Sequence, residues 1–84
     1  MKNLFYYSQA CPYCQMADKL LIKKNIKVER LDVDKNPKLW DDIYKANRNT
    51  VPHIIINNVL VGGYDDLVEL DIKGKLQEII NNVK

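Results

Sequence analysis

Pro12 limits the fold more than any other residue, because it stands between two stretches of different apolar period. Upstream, "KNLFYY" carries an apolar run from Leu4 to Tyr7. Such a run is apolar on both faces, as a central strand covered on both sides would be. Downstream, Met16, Ala17, Leu20 and Leu21 fall at i, i+1, i+4 and i+5, which makes a helical stripe. Proline is favoured at the first helical position, and it pushes the residue before it out of the helical region. Pro12 is therefore the first residue of a helix reaching about Asn25, and Cys11 is its N-cap.

The rest of the chain follows the same alternation. "KVERLDV" reads as a second strand, with Val28, Leu31 and Val33 apolar and one slip of register at Glu29-Arg30. Asn36-Pro37 opens a second helix with Leu39, Trp40, Ile43 and Tyr44 at helical spacing. "HIIIN" and "VLVGG" are short strands around Asn57-Asn58, a hairpin signal. "DDLVELDI" and "KLQEIINNV" are helical and broken near Gly74; the second is the longer and sets Leu76, Ile79, Ile80 and Val83 on one face. Two strands joined by a helix should be parallel through a right-handed crossover, and the hairpin should be antiparallel. The expected architecture is an α/β, thioredoxin-like fold, a four-stranded mixed sheet flanked by helices. At 84 residues it should be one domain spanning 1–84.

Charge and hydropathy exclude several function classes. The formal net charge is +2, with acids and bases interspersed, which gives no footprint for nucleic acid. The densest basic cluster, Lys23, Lys24 and Lys27, reads as a solvated helix end and loop. The four-residue apolar run near the start is shorter than the ~7–15 residues of an export signal's core. No run approaches the ~20 apolar residues of a membrane span. Two cysteines without a leader lead us to expect a reducing compartment, the cytoplasm. There a C-x-x-C serves redox or metal chemistry rather than architecture.

The cysteine spacing assigns each thiol a different place. An N-cap side chain points at the free N–H groups of the first turn, here those of Tyr13 and Cys14. A thiolate at Cys11 would meet those donors and the positive end of the helix dipole, so Cys11 is the candidate nucleophile. Cys14 lies one turn further in, on the same side, close to the geometry a disulfide accepts. Closing so small a loop removes little unfolded-chain entropy, so the pair is better suited to being made and broken than to stapling. A closed zinc site wants four ligands. Two cysteines, one histidine (His53) and carboxylates do not supply it within one chain, so we expect no metal; a metal or cluster shared between two chains stays open.

Three further features have two readings each on the residues alone. "TVP" at 50–52 is either a trans proline entering a strand or a cis-proline loop whose Val51 backbone pairs with an extended ligand, the first being the ordinary case. "GGYDD" at 62–66 is a glycine turn with Asp65 or Asp66 as N-cap, or a site where the helix N-terminus takes a carboxylate and an aspartate holds an ammonium. Arg48 is a solvated loop residue or a bidentate carboxylate ligand. Trp40 reads as packing.

"CPYC" at 11–14, "TVP" at 50–52 and "GGYDD" at 62–66, in this order of strands and helices, closely resemble the glutaredoxins of the dithiol kind. The resemblance covers essentially the whole chain, on through "LDIKGKL" at 70–76. It implies a glutathione-dependent thiol–disulfide oxidoreductase acting on protein disulfides and glutathione mixed disulfides. Glutathione would be the co-substrate, no cofactor would be tightly bound, and the protein would be a monomer. It implies that Cys11 is the nucleophile and Cys14 the resolving thiol, and that Tyr13 walls the glutathione groove. Thr50, Val51 and Pro52 would form a cis-proline loop pairing with the cysteinyl part. Tyr64 and Asp65 would hold the γ-glutamyl end, and Arg48 the glycyl carboxylate. Two positions depart from the pattern. Ser8 stands where many relatives carry lysine or arginine, and His53, where glutamine is frequent, could donate a hydrogen bond near the thiols or merely begin the strand. A reductase independent of glutathione, a small metal carrier and a cluster-holding module are the competing classes. The carrier plan runs β-α-β-β-α-β and leaves "TVP" and "GGYDD" unexplained.

Overall fold

The computed structural model describes residues 2–81. The apolar run becomes strand β1 (Leu4–Tyr7), in the interior of a four-stranded sheet. Strand β2 (Glu29–Asp32) pairs with it in parallel, and strand β3 (His53–Ile56) antiparallel on its other side. Strand β4 (Val59–Gly62) completes the hairpin with β3, giving the order β2-β1-β3-β4. Asn57 and Asn58 both take positive φ, 50° and 66°, the paired left-handed conformation that tight hairpins require.

Helix α1 (Pro12–Lys23) crosses from β1 to β2 and ends two residues earlier than its apolar pattern, before left-handed Asn25. The second helix opens as a 3-10 turn (Pro37–Leu39) and continues as α2 (Trp40–Lys45). Helix α3 (Tyr64–Ile72) and helix α4 (Lys75–Asn81) are separated by Gly74, whose φ is 75°. Val83, expected on the last helical face, lies outside the described residues. No described helix is long and apolar enough to cross a membrane.

The two faces of β1 feed two cores. Phe5 packs with Ala17 and Leu21 of α1, Ile54 and Ile56 of β3, Leu67 of α3 and Leu76 of α4. Tyr6 faces the other way, onto Val33 and Ile43, with Leu31 and Trp40 at its margin. Each fully buried aliphatic or Phe side chain contributes about 1.5–3 kcal/mol, so both layers are needed to hold β1 in the sheet. The expected slip at Glu29-Arg30 is absent, since the β1–β2 register runs without interruption. Val28 packs in the first core and Leu31 and Val33 in the second, so their spacing records a change of face.

His53 lies in the second layer, buried, with its ring edge-on to Tyr6 at 5.2 Å and its Nδ1 without a partner. The Tyr6 hydroxyl donates to Asp42 Oδ2 at 2.9 Å. Burial first, then that carboxylate, pushes the Tyr6 phenol up to about 12. Burial first, then the Arg48 charge, lowers the His53 pKa below its ordinary 6.5. The folded chain therefore resists a proton that the unfolded chain accepts, and stability present above pH ~6.5 is lost as pH falls below it. Melting temperature should drop less between pH 7 and pH 5 in His53→Gln than in the parent. Parallel melting curves against pH would contradict this account.

Candidate active site

Cys11 occupies the N-cap with φ −106° and ψ 109°, the extended conformation that the following proline favours. Its Sγ accepts a hydrogen bond from the Cys14 N–H at 3.1 Å. On its other side it lies 3.8 Å from the Val51 carbonyl oxygen. Cys11 is half-buried, Cys14 is buried, and the two are not bridged. Burial is the largest cause that pushes the Cys14 thiol up to about 12, followed by its hydrogen bond to Cys11. The charges of Cys11 and Asp34 add to this, and a backbone hydrogen bond from Ser8 opposes it.

Beside the N-cap opens a cavity of about 290 Å³. Tyr13, Arg48, Thr50, Val51, Pro52, Tyr64 and Asp65 all line it, together with Gly63 and Asp66. Four separate segments deliver them. Tyr13 is the second residue of α1, with its exposed ring 6.1 Å from that of Tyr64. Arg48 follows the left-handed Asn47 that ends the α2 region. Thr50 to Pro52 lead into β3, and Gly63 to Asp66 form the start of α3. The Val51–Pro52 bond is cis. The two isomers of an X-Pro bond differ by only about 0.5–1 kcal/mol, so the trans reading from the local residues could not exclude it.

One expectation needs correction. Neither Asp65 nor Asp66 is the N-cap of α3; Gly63 is, and Asp66 is the third helical residue, whose Oδ2 accepts the Gly63 N–H at 2.9 Å. The helix begins two residues earlier than an Asp65 cap would require and three earlier than an Asp66 cap, so Tyr64 and Asp65 stand in its first turn. Of the two readings of His53, the donor near the thiols fails and the strand start holds: it opens β3, and strand alternation turns its ring to the second core, edge-on to Tyr6.

The sequence marks Gly62 and Gly63 only as a turn, and Asp66 only as a possible cap. Only one half of a capping box is present, the Asp66 carboxylate on the Gly63 N–H, because Gly63 has no side chain to accept in return, so the S/T-x-x-E/Q signature does not mark it. Gly62 has φ +108°, and a Cβ there would lie 2.5 Å from Asp66 Oδ2 and 3.2 Å from an Arg48 guanidinium nitrogen. Arg48 and Asp66 approach to 4.0 Å, while the Arg48 Nε is buried without a partner. Among the described residues, no group of three or more His, Cys, Asp or Glu is disposed to hold a metal ion.

The Glutaredoxin family model matches residues 3–61. Glutaredoxin 3 of Escherichia coli (strain K12) is 37% identical over 76 residues, covering 89% of this chain and 92% of its own. The solution structure of a dithiolic glutaredoxin from Trypanosoma brucei brucei aligns with TM-score 0.86 at 37% identity, over 95% of this chain and 87% of that one. The solution structure of a glutaredoxin from Brucella melitensis aligns with TM-score 0.85 at 35% identity, over 100% and 92%.

Reduced protein treated with iodoacetamide near pH 7.5 should be alkylated quickly at Cys11 and very slowly at Cys14, as read by peptide mass mapping. Comparable rates at both would show that burial does not protect Cys14. Gly62→Ala should cost about 1–3 kcal/mol of stability through its left-handed backbone, measured by urea unfolding; an unchanged midpoint would argue against the crowding at Asp66.

Proposed function

We infer what this chain does from one premise: it belongs to the glutaredoxin family. It is a thiol–disulfide oxidoreductase, and we propose that glutathione is its co-substrate. One observation carries that reading: all seven residues expected around the ligand line a single cavity next to the half-buried Cys11. Glutathione presents two carboxylates, an ammonium and a short peptide backbone. The Arg48 guanidinium takes the glycyl carboxylate. The free N–H groups in the first turn of α3 take the γ-glutamyl carboxylate, and Asp65 the ammonium beside it. The Val51 main chain pairs with the cysteinyl unit as an added strand would, and Tyr13 and Tyr64 wall the groove.

The Cys11 thiolate attacks the glutathione sulfur of a mixed disulfide. The Cys11–glutathione bond forms, the original S–S bond breaks, and the departing thiolate takes its electron pair and gains a proton. A second glutathione thiolate then attacks, yielding glutathione disulfide and restoring Cys11. For a protein disulfide, Cys11 first bonds one protein sulfur. Cys14 then loses its proton and attacks Cys11, releasing the protein as a dithiol, and two glutathiones reduce the Cys11–Cys14 bond. Cys14 is suited to waiting, since its raised pKa keeps it a thiol until Cys11 is engaged. Reduction potentials of about −200 to −230 mV are typical of the class. We further propose that the chain acts as a one-domain monomer in the cytoplasm, where glutathione is the reductant.

Glutathione-coupled reduction of a small mixed disulfide tests this directly. Cys11→Ser should be inactive. Cys14→Ser should keep deglutathionylation within a few-fold and lose protein-disulfide reduction. Arg48→Ala should raise the KM for glutathione-containing substrate by about ten- to a hundredfold, the worth of a charged hydrogen bond of ~1.5–3 kcal/mol. Retained activity in Cys11→Ser would sink the nucleophile assignment.

A further inference from the structure

Ser8 ties the dithiol loop to a carboxylate. Its carbonyl accepts the Cys11 N–H at 3.3 Å, while its hydroxyl donates to Asp34 Oδ2 at 2.6 Å. That distance falls in the range of a charge-assisted O–H···O bond. The Gln9 N–H reaches the same oxygen at 3.2 Å. Asp34 is exposed, and among the described residues no cation stands within ion-pair distance of it. Its neighbours differ: Asp18 is paired with Arg30, while Asp32 accepts the Gln9 side-chain amide and the backbone N–H groups of Asp34 and Lys35. The rim before Cys11 thus carries negative charge without an ion pair, and Asp34 is the carboxylate that Ser8 fixes to the dithiol loop.

This rim is separate from the proposed glutathione groove. Ser8 and Gln9 line a second cavity of about 260 Å³ with Tyr7, Cys14 and the paired Asp18 and Arg30, and it shares no residue with the first. We propose that Asp34 is a specificity-determining residue, favouring disulfides whose departing thiol carries positive charge. The proposal rests on the glutathione reading above. Glutathione fills the groove on one side of the loop, so the other half of the mixed disulfide is left to the rim. There Asp34 attracts a cationic leaving thiolate's substituent and repels an anionic one. The reach of Asp34 to the dithiol is visible at Cys14, where its charge adds to the forces that keep the thiol protonated.

The reaction supplies its own control, because the attacked half is glutathione in every case. Cys11 bonds the glutathione sulfur, and the departing R–S⁻ takes the electron pair and a solvent proton. Only R differs. The test compares kcat/KM of the full chain for glutathione mixed disulfides of cysteamine and of 3-mercaptopropionate. The parent should favour cysteamine, and Asp34→Asn, which keeps an acceptor for Ser8, should lower the cationic-to-anionic ratio about four- to sixfold at low salt, since the effect of unit charges roughly 8–10 Å apart in a largely aqueous medium has opposite sign for the two substrates and counts twice in their ratio. About 0.5 M salt should bring the parent's ratio to that of the variant. An unchanged ratio in Asp34→Asn overturns the proposal even if both rates fall, since loss of loop structure would slow both substrates alike. Should the variant not fold, the parent decides: a ratio insensitive to salt overturns it. A parent inactive on both disulfides overturns the glutathione reading and this proposal with it.

Discussion

The hydrogen bond from the Cys14 N–H to the Cys11 sulfur, 3.1 Å long, is the contact on which the site depends. It exists because Pro12 starts the helix and leaves Cys11 as its cap. It makes two chemically identical side chains unequal. One accepts a backbone donor at the mouth of a cavity, and the other is buried one turn deeper with its pKa pushed up to about 12. The rest of the fold holds that inequality in place. β1 is anchored through Phe5 and Tyr6 in cores on both faces, so the loop that follows it starts from a fixed point.

Charge around the dithiol is arranged in two unlike regions. Arg48, Asp65 and Asp66 surround the larger cavity with the N-terminus of α3, a mixed set suited to a zwitterionic peptide. Ser8 instead brings the Asp34 carboxylate to the dithiol loop. Cys11 joins them: its sulfur lies 3.8 Å from the Val51 carbonyl of the cavity, and its N–H donates to the Ser8 carbonyl of the rim.

Local signals proved readable wherever one residue's stereochemistry decides the outcome. Pro12 gave the helix start, Asn57-Asn58 the hairpin, and Gly74 the break between the last helices. They failed where two solutions are nearly equal in energy. The α3 cap fell to Gly63, whose own N–H is taken by Asp66 Oδ2 from inside the helix. The apolar spacing in β2 looked like a slip because an edge strand feeding two cores places apolar residues on both faces. His53 allowed two readings because it follows Pro52 at a strand start; it begins β3, and strand alternation turns its ring to Tyr6 rather than to the thiols.

By itself the sequence determined the order of strands and helices, the unequal places of Cys11 and Cys14, and three motifs separated by up to some fifty residues. Those properties are local, set by backbone sterics and by the period of apolar side chains. Only the tertiary structure decided that Tyr13, Arg48, the Thr50–Pro52 loop and the start of α3 share one cavity, that the Val51–Pro52 bond is cis, and that Ser8 holds Asp34. Each of these is a relation between segments distant in the chain, and its geometry is fixed by how the layers pack rather than by any residue's own preference.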